Sequence, residues 1–417
     1  MPRILLVAYH FPPLAGSSGI QRTLRFVQHL PKFGWQPMVL SAHPRAYERV
    51  SDDLNAEVPA GTPVHRAFAL DTARHLALGG RYLGAMARPD RWVSWRFDAV
   101  RQGMLMIRKY KPQIIWSTYP IATAHLIGAE LSRRSGLPWV ADFRDPMAQD
   151  GYPADPQTWQ QFRQIEQHAL QAATLSTFTT PSAAAEYRLR YPCAAGKVRV
   201  LENGYDEETF AAAGLPGSCS PLNPGTMTLL HSGIVYPSER DPTQLMAALR
   251  LLHDAGTLTP GKLKIRFRAA VAEALIRDLS ARFGVQAYIE ICPPIAYQDA
   301  LAEMLRADGL LVLQASNCNA QIPAKLYEYL RAARPLVCLS DPAGDTASVV
   351  RDAGIDSIAM LDSAQDIAAL LARLLAPSPP TLRTQASAAY VATASRTGRA
   401  QSLASMLNSI IATPSRP

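Results

Sequence analysis

The sequence predicts an α/β protein built from two Rossmann-like, doubly wound domains. At 417 residues the chain is long for a single hydrophobic core, which favours two domains. Short apolar runs alternate with helical patterns in both halves, as in parallel sheets whose strands are buried on both faces. A proline- and glycine-rich stretch, residues 211–225, is expected to be the linker between the halves. We therefore predict an N-terminal domain at residues 1–210, a C-terminal domain at 226–380, and a helix at 381–417 that crosses back to the N-terminal domain.

The composition is that of a globular chain, with 48% apolar and 18% charged residues. The N-terminal apolar run is too short for a signal peptide, and no run of about 18 apolar residues is present. The five cysteines lack CxxC spacing, which argues against a disulfide framework and against a zinc site. From these features we predict a cytoplasmic protein that uses no metal.

The positive charge is concentrated at the N-terminal end. Residues 1–111 contain 16 Lys and Arg against 7 Asp and Glu, a balance of +9, which leaves 26 against 27 for the rest of the chain. Aromatic and basic residues interleave in the stretch from Arg91 to Phe97, as they do at membrane interfaces. One interpretation is an anionic membrane surface as partner, at the inner face of the cell membrane. The other is a solvated basic surface over tryptophans that pack a helical subdomain. We predict no nucleic-acid partner.

The first half carries a candidate ligand loop at the end of its first strand. The apolar run from Ile4 to Ala8 predicts a buried strand, and a turn from Gly16 to Gly19 then leads into a helix. Backbone N–H groups in a glycine-rich turn at this position can approach a ligand closely. The turn matches neither GxGxxG nor a Walker sequence, so an ordinary flexible loop is the alternative interpretation.

A charged cluster follows the strand that we predict at residues 137–141. Asp142, Arg144 and Asp145 stand directly after it. In open α/β sheets ligands bind beyond the carboxyl ends of the strands, so these side chains are placed where chemistry would occur. A structural ion-pair network is one interpretation, and a functional site is the other.

The strongest local signal lies in the second half, at residues 321–330. We expect Pro323 to open a helix, because proline is tolerated in the first turn. Lys325 and Glu328 then share one face near the helix N-terminus, where free N–H groups favour an anion. A cation, a carboxylate and such a helix end are what a nucleotide diphosphate with its ribose would require.

Together these motifs resemble the GT-B glycosyltransferases, and within them the family 4-like enzymes that build bacterial surface polysaccharides and glycolipids. The resemblance runs over nearly the whole chain and is specific in the order and spacing of its motifs. The matching segments are Phe11–Pro13 with the Gly16–Gly19 turn, Asp142–Asp145, Asn203–Asp206, Gly233 with Arg240–Pro242, and Pro323–Leu330 with Arg334–Pro335.

The resemblance implies two domains that face a cleft, with the acceptor on the N-terminal domain and a nucleotide sugar on the C-terminal one. Glu328 resembles the carboxylate that holds the ribose hydroxyls, and Arg240 and Lys325 would neutralise the diphosphate. Asp142 or Asp145 would contact the acceptor hydroxyl. The predicted donor-binding residues are Gly16, Gly19, Gly233, Arg240, Gln321, Lys325 and Glu328, and the predicted catalytic residues are Asp142, Arg144 and Asp145.

Three positions depart from the family pattern. Ala320 stands eight residues before Glu328, where the family often has a first glutamate. Either donor contacts come from Asn317, Asn319 and Gln321 instead, or the sugar differs, or the enzyme is weakened. Ile234 replaces a basic residue that commonly follows the glycine. Arg144 stands where the family often has histidine.

The leading functional hypothesis is a metal-independent, retaining glycosyltransferase in surface polysaccharide synthesis. It would move a sugar from a nucleotide diphosphate sugar to a saccharide or lipid-linked acceptor, with no other cofactor. Two alternatives remain: a nucleotide-sugar epimerase on the same fold, and a non-catalytic protein that binds a nucleotide sugar.

Overall fold

A computed structural model describes residues 1–17, 19–214, 220–376 and 382–412. The chain folds into two compact units. The first contains residues 1–203 and the described C-terminal residues from Arg396, and the second contains the described residues between Gly204 and Ser395. None of the described helices combines the length and the hydrophobicity that crossing a bilayer requires.

The first unit is built on a parallel sheet of seven strands. Its strand order is β3-β2-β1-β4-β5-β6-β7, so the chain changes direction across the sheet between β1 and β4. Ligands of doubly wound sheets bind at such a switch point, beyond the carboxyl ends of the strands. The strands are β1 Arg3–Val7, β2 Gln36–Ala42, β3 Val64–Ala67, β4 Ile114–Thr118, β5 Trp139–Arg144, β6 Leu175–Phe178 and β7 Val198–Val200.

Helices cover both faces of this sheet because its strands are apolar on both sides. Leu5 and Val7 pack into one core and Ile4 and Leu6 into the other, in strict alternation. The helices are α1 Gly19–His29, α2 Thr72–His75, α3 Trp95–Tyr110, α4 Thr123–Ser135, α5 Pro156–Ala172 and α6 Pro181–Arg190.

The second unit repeats the plan with six parallel strands in the order β10-β9-β8-β11-β12-β13. Its switch point lies between β8 and β11. The strands are β8 Met227–Ser232, β9 Leu263–Arg268, β10 Ile289–Cys292, β11 Gly309–Gln314, β12 Leu336–Ser340 and β13 Ile358–Ala359. The helices are α7 Glu207–Ala213, α8 Thr243–Asp254, α9 Glu273–Phe283, α10 Tyr297–Arg306, α11 Lys325–Ala332, α12 Asp345–Asp352, α13 Ala364–Leu375 and α14 Ala388–Thr393. The predicted fold class, two doubly wound parallel-sheet units, is confirmed.

The boundary between the units falls between Asn203 and Gly204, earlier than the linker predicted at 211–225. The reason is α7, which belongs to the second unit: Phe210 is buried in that unit's core, and Glu207 pairs with Arg331. Residues 215–219 of the predicted linker lie outside the described residues.

The C-terminal segment predicted as one helix consists, in its described part, of α14 and a further helix, α15, Arg396–Ala412. α15 packs on α1 of the first unit. Leu403 and Leu407 are fully buried in the same core as Phe26, and the Trp35 indole N–H donates to Asn408 Oδ1 over 2.9 Å.

We predict that Leu403→Ala destabilises the first unit by about 2–5 kcal/mol, because it removes a fully buried side chain and leaves a cavity. All six tryptophans lie in this unit, so the midpoint of urea unfolding followed by tryptophan fluorescence reports on it. Ile411→Ala on the same helix is the control, because Ile411 is 45% exposed and should change the midpoint little. Equal midpoints for the two variants would contradict the packing described.

Candidate functional site

Asp142, at the end of β5, is a carboxylate with hydrogen bonds to both of its oxygens. Arg22 donates to both of its oxygens, over 2.9 and 2.7 Å, and the hydroxyls of Thr118 and Thr177 donate over 2.8 and 2.7 Å. Burial by itself would raise the pKa of Asp142, but Arg22 and the two hydroxyls outweigh it and hold the pKa below its ordinary value. These contacts favour a positioning role, in which Asp142 ties α1 to β4, β5 and β6, over contact with an acceptor hydroxyl.

The residues after Asp142 leave the regular strand. The register between β5 and β6 shifts between Asp142 and Arg144, and Arg144 has a φ of +62°, in the left-handed region. For a residue other than glycine this conformation costs about 1–3 kcal/mol, and such strain is concentrated at functional sites. The Thr179 amide and hydroxyl both donate to the Arg144 carbonyl, over 2.9 and 2.8 Å, and hold it in place.

The side chains of Arg144 and His10 pack against Gly19, the first residue of α1. A Cβ atom on Gly19 would lie 2.4 Å from His10 Nδ1 and 3.0 Å from Arg144 Nη1, so only glycine allows both side chains to approach the helix. Burial, together with the charge of Arg144, lowers the pKa of His10 to about 4, so this imidazole is neutral at pH 7. Gly16 has a φ of +79° in the preceding turn, and Ser18 between the two glycines lies outside the described residues.

Asp145 differs from Asp142 in exposure and in pKa. Asp145 is exposed to solvent but has protein around it, whereas Asp142 is fully buried. Burial raises the pKa of Asp145 above its ordinary value, with Arg144 and Arg22 acting in the opposite direction. A carboxylate with a raised pKa and access to solvent can accept a proton from a substrate hydroxyl. Of the two predicted carboxylates, Asp145 is therefore the one whose surroundings suit the chemistry.

A cavity of about 230 Å³ lies beside this loop. Tyr9, His10, Gly16 and Trp92 line it, with Glu48 and Arg49 as its charged side chains. Aromatic walls with a few polar groups are typical of sites for small organic ligands.

In the second unit, Lys325 lies at the start of α11 and reaches the end of β8. Gly233 has a φ of +122°, and a Cβ there would lie 2.9 Å from Lys325 Nζ, so the absence of a side chain lets the ammonium pack against the backbone. Burial lowers the pKa of Lys325 to about 7, assisted by the positive charge of Arg240 and opposed by Glu328. The ion pairs formed by the described residues do not include Lys325.

His231 orients this ammonium. Its Nδ1 lies 3.0 Å from the carbonyl oxygen of Leu311, which can only accept, so Nδ1 carries the proton and Nε2 faces Lys325 Nζ at 3.3 Å. Burial and the charge of Lys325 lower the pKa of His231 well below its ordinary value. A neutral imidazole therefore accepts a hydrogen bond from the lysine. The prediction from sequence omitted His231, although a histidine at the end of an otherwise apolar strand was the available signal.

Arg240 and Glu328 flank Lys325. The Arg240 guanidinium donates to the carbonyl oxygen of Ile234 over 2.7 Å, which fixes it to the loop after Gly233. One turn along α11 from Lys325, Glu328 accepts a hydrogen bond of 2.6 Å from the hydroxyl of Tyr297. Tyr297 was also missed, because it lies about 30 residues away and only the fold brings it close.

Several polar groups of the loop before α11 form hydrogen bonds with other protein groups. The amide of Asn317 donates to Ser238 and that of Asn319 to Asp341, so these side chains support the loop. Gln321 is exposed, while its carbonyl accepts from the Thr346 hydroxyl. Ala320 is exposed beside it.

Apart from Gly16 and Gln321, the structure gathers the predicted residues into one group in each unit. Asp142, Arg144, Asp145 and Gly19 meet beyond the carboxyl ends of β1 and β5 in the first sheet, and Gly233, Arg240, Lys325 and Glu328 meet at the switch point of the second. Among the described residues no group of three or more His, Cys, Asp or Glu side chains could hold a metal ion.

Comparison with known families matches residues 18–204 to the glycosyl transferase 4-like domain. Among curated proteins, a D-inositol 3-phosphate glycosyltransferase from Streptosporangium roseum is 27% identical over 187 residues, which cover 40% of this chain and 43% of that enzyme. The match thus spans less than half the length of this relative.

Solved structures of similar fold cover almost the entire chain at low sequence identity. A sucrose-phosphate synthase from Thermosynechococcus elongatus has a TM-score of 0.63 at 14% identity, covering 99% of this chain and 100% of that one. The Anabaena protein Alr3699/HepE, in complex with UDP, has a TM-score of 0.57 at 14% identity, covering 99% and 98%. A Listeria monocytogenes protein described as a UDP-N-acetylglucosamine 2-epimerase has a TM-score of 0.59 at 11% identity. The match covers 100% of this chain and 99% of that one.

These findings confirm the resemblance inferred from the motifs. Residues 18–204 match the glycosyl transferase 4-like domain, and the chain shares the two-unit fold of these solved structures.

Proposed function

We propose that the protein is a glycosyltransferase that moves a sugar from a nucleotide diphosphate sugar to a saccharide or lipid-linked acceptor, in surface polysaccharide synthesis. The observation that carries the proposal is the arrangement at the head of α11. There Lys325 and Arg240 present positive charge beside Gly233, and Glu328 follows one turn later. The family match of residues 18–204 supports the transferase class.

The second unit would bind the donor through its nucleotide diphosphate. Breaking the bond between sugar and phosphate leaves negative charge on the diphosphate, so cations positioned in advance lower the barrier. Lys325 suits this role because its ammonium is desolvated and already oriented by His231. Arg240 would add a second, permanently charged group, and the Glu328 carboxylate would accept hydrogen bonds from the ribose hydroxyls. In this proposal side chains stabilise the leaving group and no metal is required.

The first unit would contribute the groups that meet the acceptor. Asp145, with its raised pKa and exposed carboxylate, is the candidate contact for the acceptor hydroxyl. The cavity beside His10 and Trp92 would take part of the acceptor. We further propose retention of configuration, which rests on the family resemblance alone.

The first test is binding of UDP and GDP by calorimetry to the full chain. We predict that one of them binds and that Glu328→Ala weakens its binding by about 10- to 100-fold, since a hydrogen bond to a charged group contributes about 1.5–3 kcal/mol. Glu273→Ala is the matched control, because Glu273 is a half-buried glutamate of the same unit that pairs with Arg277 on its own helix.

Three outcomes of this test have different meanings. If no nucleoside diphosphate binds, the proposal fails. If the nucleotide binds and a product forms from the donor alone, the epimerase alternative holds. If donors bind and neither transfer nor hydrolysis occurs with a panel of acceptors, the protein is a non-catalytic binder. The fold by itself does not decide among these activities.

We also predict that the affinity for the diphosphate falls as the pH rises from about 7 to about 9. Lys325 in the free protein loses its proton with a pKa near 7, and binding requires the ammonium form. The dissociation constant should therefore rise by up to about tenfold per pH unit above 7. Lys325→Arg keeps its charge over this range and should remove the pH dependence. A wild-type affinity that is independent of pH would contradict the assigned role.

We propose that the exposed face of α3 binds an anionic membrane surface. On this helix Phe97 is 78% exposed and Leu105 46% exposed, while Trp95 is fully buried in the core. Arg96, Arg101 and Arg108 line the same groove of about 700 Å³ as these two apolar side chains. Exposed apolar side chains among cations are typical of helices that lie in a membrane interface.

This membrane proposal predicts that the protein sediments with vesicles containing phosphatidylglycerol at low salt and not with neutral vesicles. Arg101→Gln with Arg108→Gln should weaken the association about 30-fold, at about 1 kcal/mol per basic residue. Arg250→Gln with Arg277→Gln, which removes two exposed arginines of the second unit, is the control. Equal sedimentation of both double variants and the wild type would exclude α3 as the contact.

A further inference from the structure

α5 contains a fully buried carboxylate, Glu166, that binds groups from α5 itself and from the end of α6. Its Oε1 atom accepts hydrogen bonds from the guanidinium groups of Arg163 and Arg190, over 2.9 and 3.1 Å. The hydroxyl of Tyr191 donates to the same atom over 2.5 Å. A buried charge is tolerated when it is paired and hydrogen-bonded in this way. The carboxylate is therefore held in one place by two helices.

The other oxygen of Glu166 holds the loop that follows β5. Oε2 accepts a hydrogen bond from the backbone N–H of Ala148 over 3.1 Å and another from the hydroxyl of Tyr187. The same hydroxyl accepts from the N–H of Met147 over 2.8 Å, and Arg190 donates to the carbonyl oxygen of Ala148 over 2.8 Å. Met147 and Ala148 are buried, so these backbone groups need partners within the protein. Glu166, Tyr187 and Arg190, together the Glu166 anchor, supply them.

Tyr187 connects the carboxylate to the loop through a single hydroxyl group. Burial and the charge of Glu166 raise the pKa of Tyr187 well above its ordinary value, so the phenol keeps its proton and donates it to the carboxylate. The ring of Tyr187 lies 4.4 Å from the ring of Phe178, measured between centroids, and both rings are fully buried. The core therefore fixes the position of the phenol, and the phenol fixes the N–H of Met147.

Asp145 lies between the Glu166 anchor and a second one. On its N-terminal side, Thr179 holds the carbonyl oxygen of Arg144 through its amide and its hydroxyl, over 2.9 and 2.8 Å. On its C-terminal side, one residue separates Asp145 from Met147, whose N–H is held by the Glu166 anchor. The backbone at Asp145 is therefore fixed from both sides, although the residue is exposed to solvent.

We propose that Glu166 is a positioning residue for Asp145: through Tyr187 it holds the backbone of residues 147–148 and so fixes where the Asp145 carboxylate meets a substrate hydroxyl. The inference deepens the proposed function, on which it rests for the role of Asp145. A carboxylate that accepts a proton must lie within about 3 Å of the hydroxyl, and a misplacement of about 1 Å can lower the rate about 100-fold. Glu166 acts only through the loop, because it is fully buried.

The test compares Tyr187→Phe with Tyr191→Phe in the full chain. Each variant removes one hydroxyl that donates to Glu166, and only the Tyr187 hydroxyl also binds the loop. A merely structural role predicts similar effects of the two variants, whereas the positioning role predicts that Tyr187→Phe alone displaces the loop. If Tyr187→Phe does not fold, Arg190→Lys takes its place, because it loses the geometry of the bond to the Ala148 carbonyl and keeps the charge.

Two measurements that need no substrate detect the displacement. Amide hydrogen exchange at Met147 should become about tenfold faster in Tyr187→Phe and stay unchanged in Tyr191→Phe. The pKa of Asp145 is measured by NMR of protein labelled with ¹³C aspartate, with Asp145→Asn to assign the signal. It should fall towards its ordinary value in Tyr187→Phe only, because the released loop exposes the carboxylate further. Equal pKa values of Asp145 in the wild type and both variants would overturn the proposal.

The rate of sugar transfer supplies the third measurement, with UDP-glucose or GDP-mannose as the donor, according to the nucleotide that binds, and a panel of octyl glycosides as acceptors. We expect Tyr187→Phe to lower kcat about tenfold or more with the donor KM unchanged, and to add nothing in the Asp145→Asn background. Additive losses would show that the anchor does not act through Asp145 and would overturn the proposal. Absence of transfer by the wild type would contradict the proposed function alone, since hydrogen exchange and the pKa of Asp145 still decide whether Glu166 positions Asp145.

Discussion

The second unit's site depends on one constraint, the burial of the Lys325 ammonium against the backbone at Gly233. An ammonium taken out of water favours its neutral form, which is why the pKa of Lys325 falls to about 7. The neutral imidazole of His231 gives it one acceptor and Gly233 gives it space. An incoming diphosphate would supply the negative charge that this position lacks. The same features that make Lys325 costly to bury make it responsive to an anion.

The first unit also buries a charged group, Asp142, but surrounds it with hydrogen-bond donors. Asp142 accepts four hydrogen bonds from Arg22, Thr118 and Thr177, and these bonds join α1 to three strands. That network fixes the point at which β5 leaves the sheet, and the next residues turn outward through the left-handed conformation of Arg144. Arg144 and Asp145 directly follow this carboxylate in the sequence, and the charge of each influences the pKa of the other.

The sequence was sufficient to predict the fold and to identify the charged residues that lie near the strand ends. The alternation of apolar runs predicted both sheets, and Lys325 and Glu328 followed from helical spacing. It was insufficient for partners that only the fold brings together, such as His231 beside Lys325 and Tyr297 beside Glu328. It also could not separate Asp142 from Asp145, because their different surroundings come from Arg22, distant in sequence, and from the bulge between them. The observed domain boundary lies earlier than the predicted one because Phe210 packs α7 into the core of the second unit. Composition alone favoured the later proline-rich stretch.

The central claim, that Lys325 is a poised anion receptor, is tested most directly by titrating its Nζ by NMR in protein labelled with ¹⁵N lysine, using Lys325→Arg to assign the signal. The account predicts a pKa near 7 in the free protein and a clear rise when UDP is bound, because the diphosphate favours the ammonium form. A pKa near the ordinary lysine value of about 10.4 in the free protein, or one that UDP leaves unchanged, would contradict it.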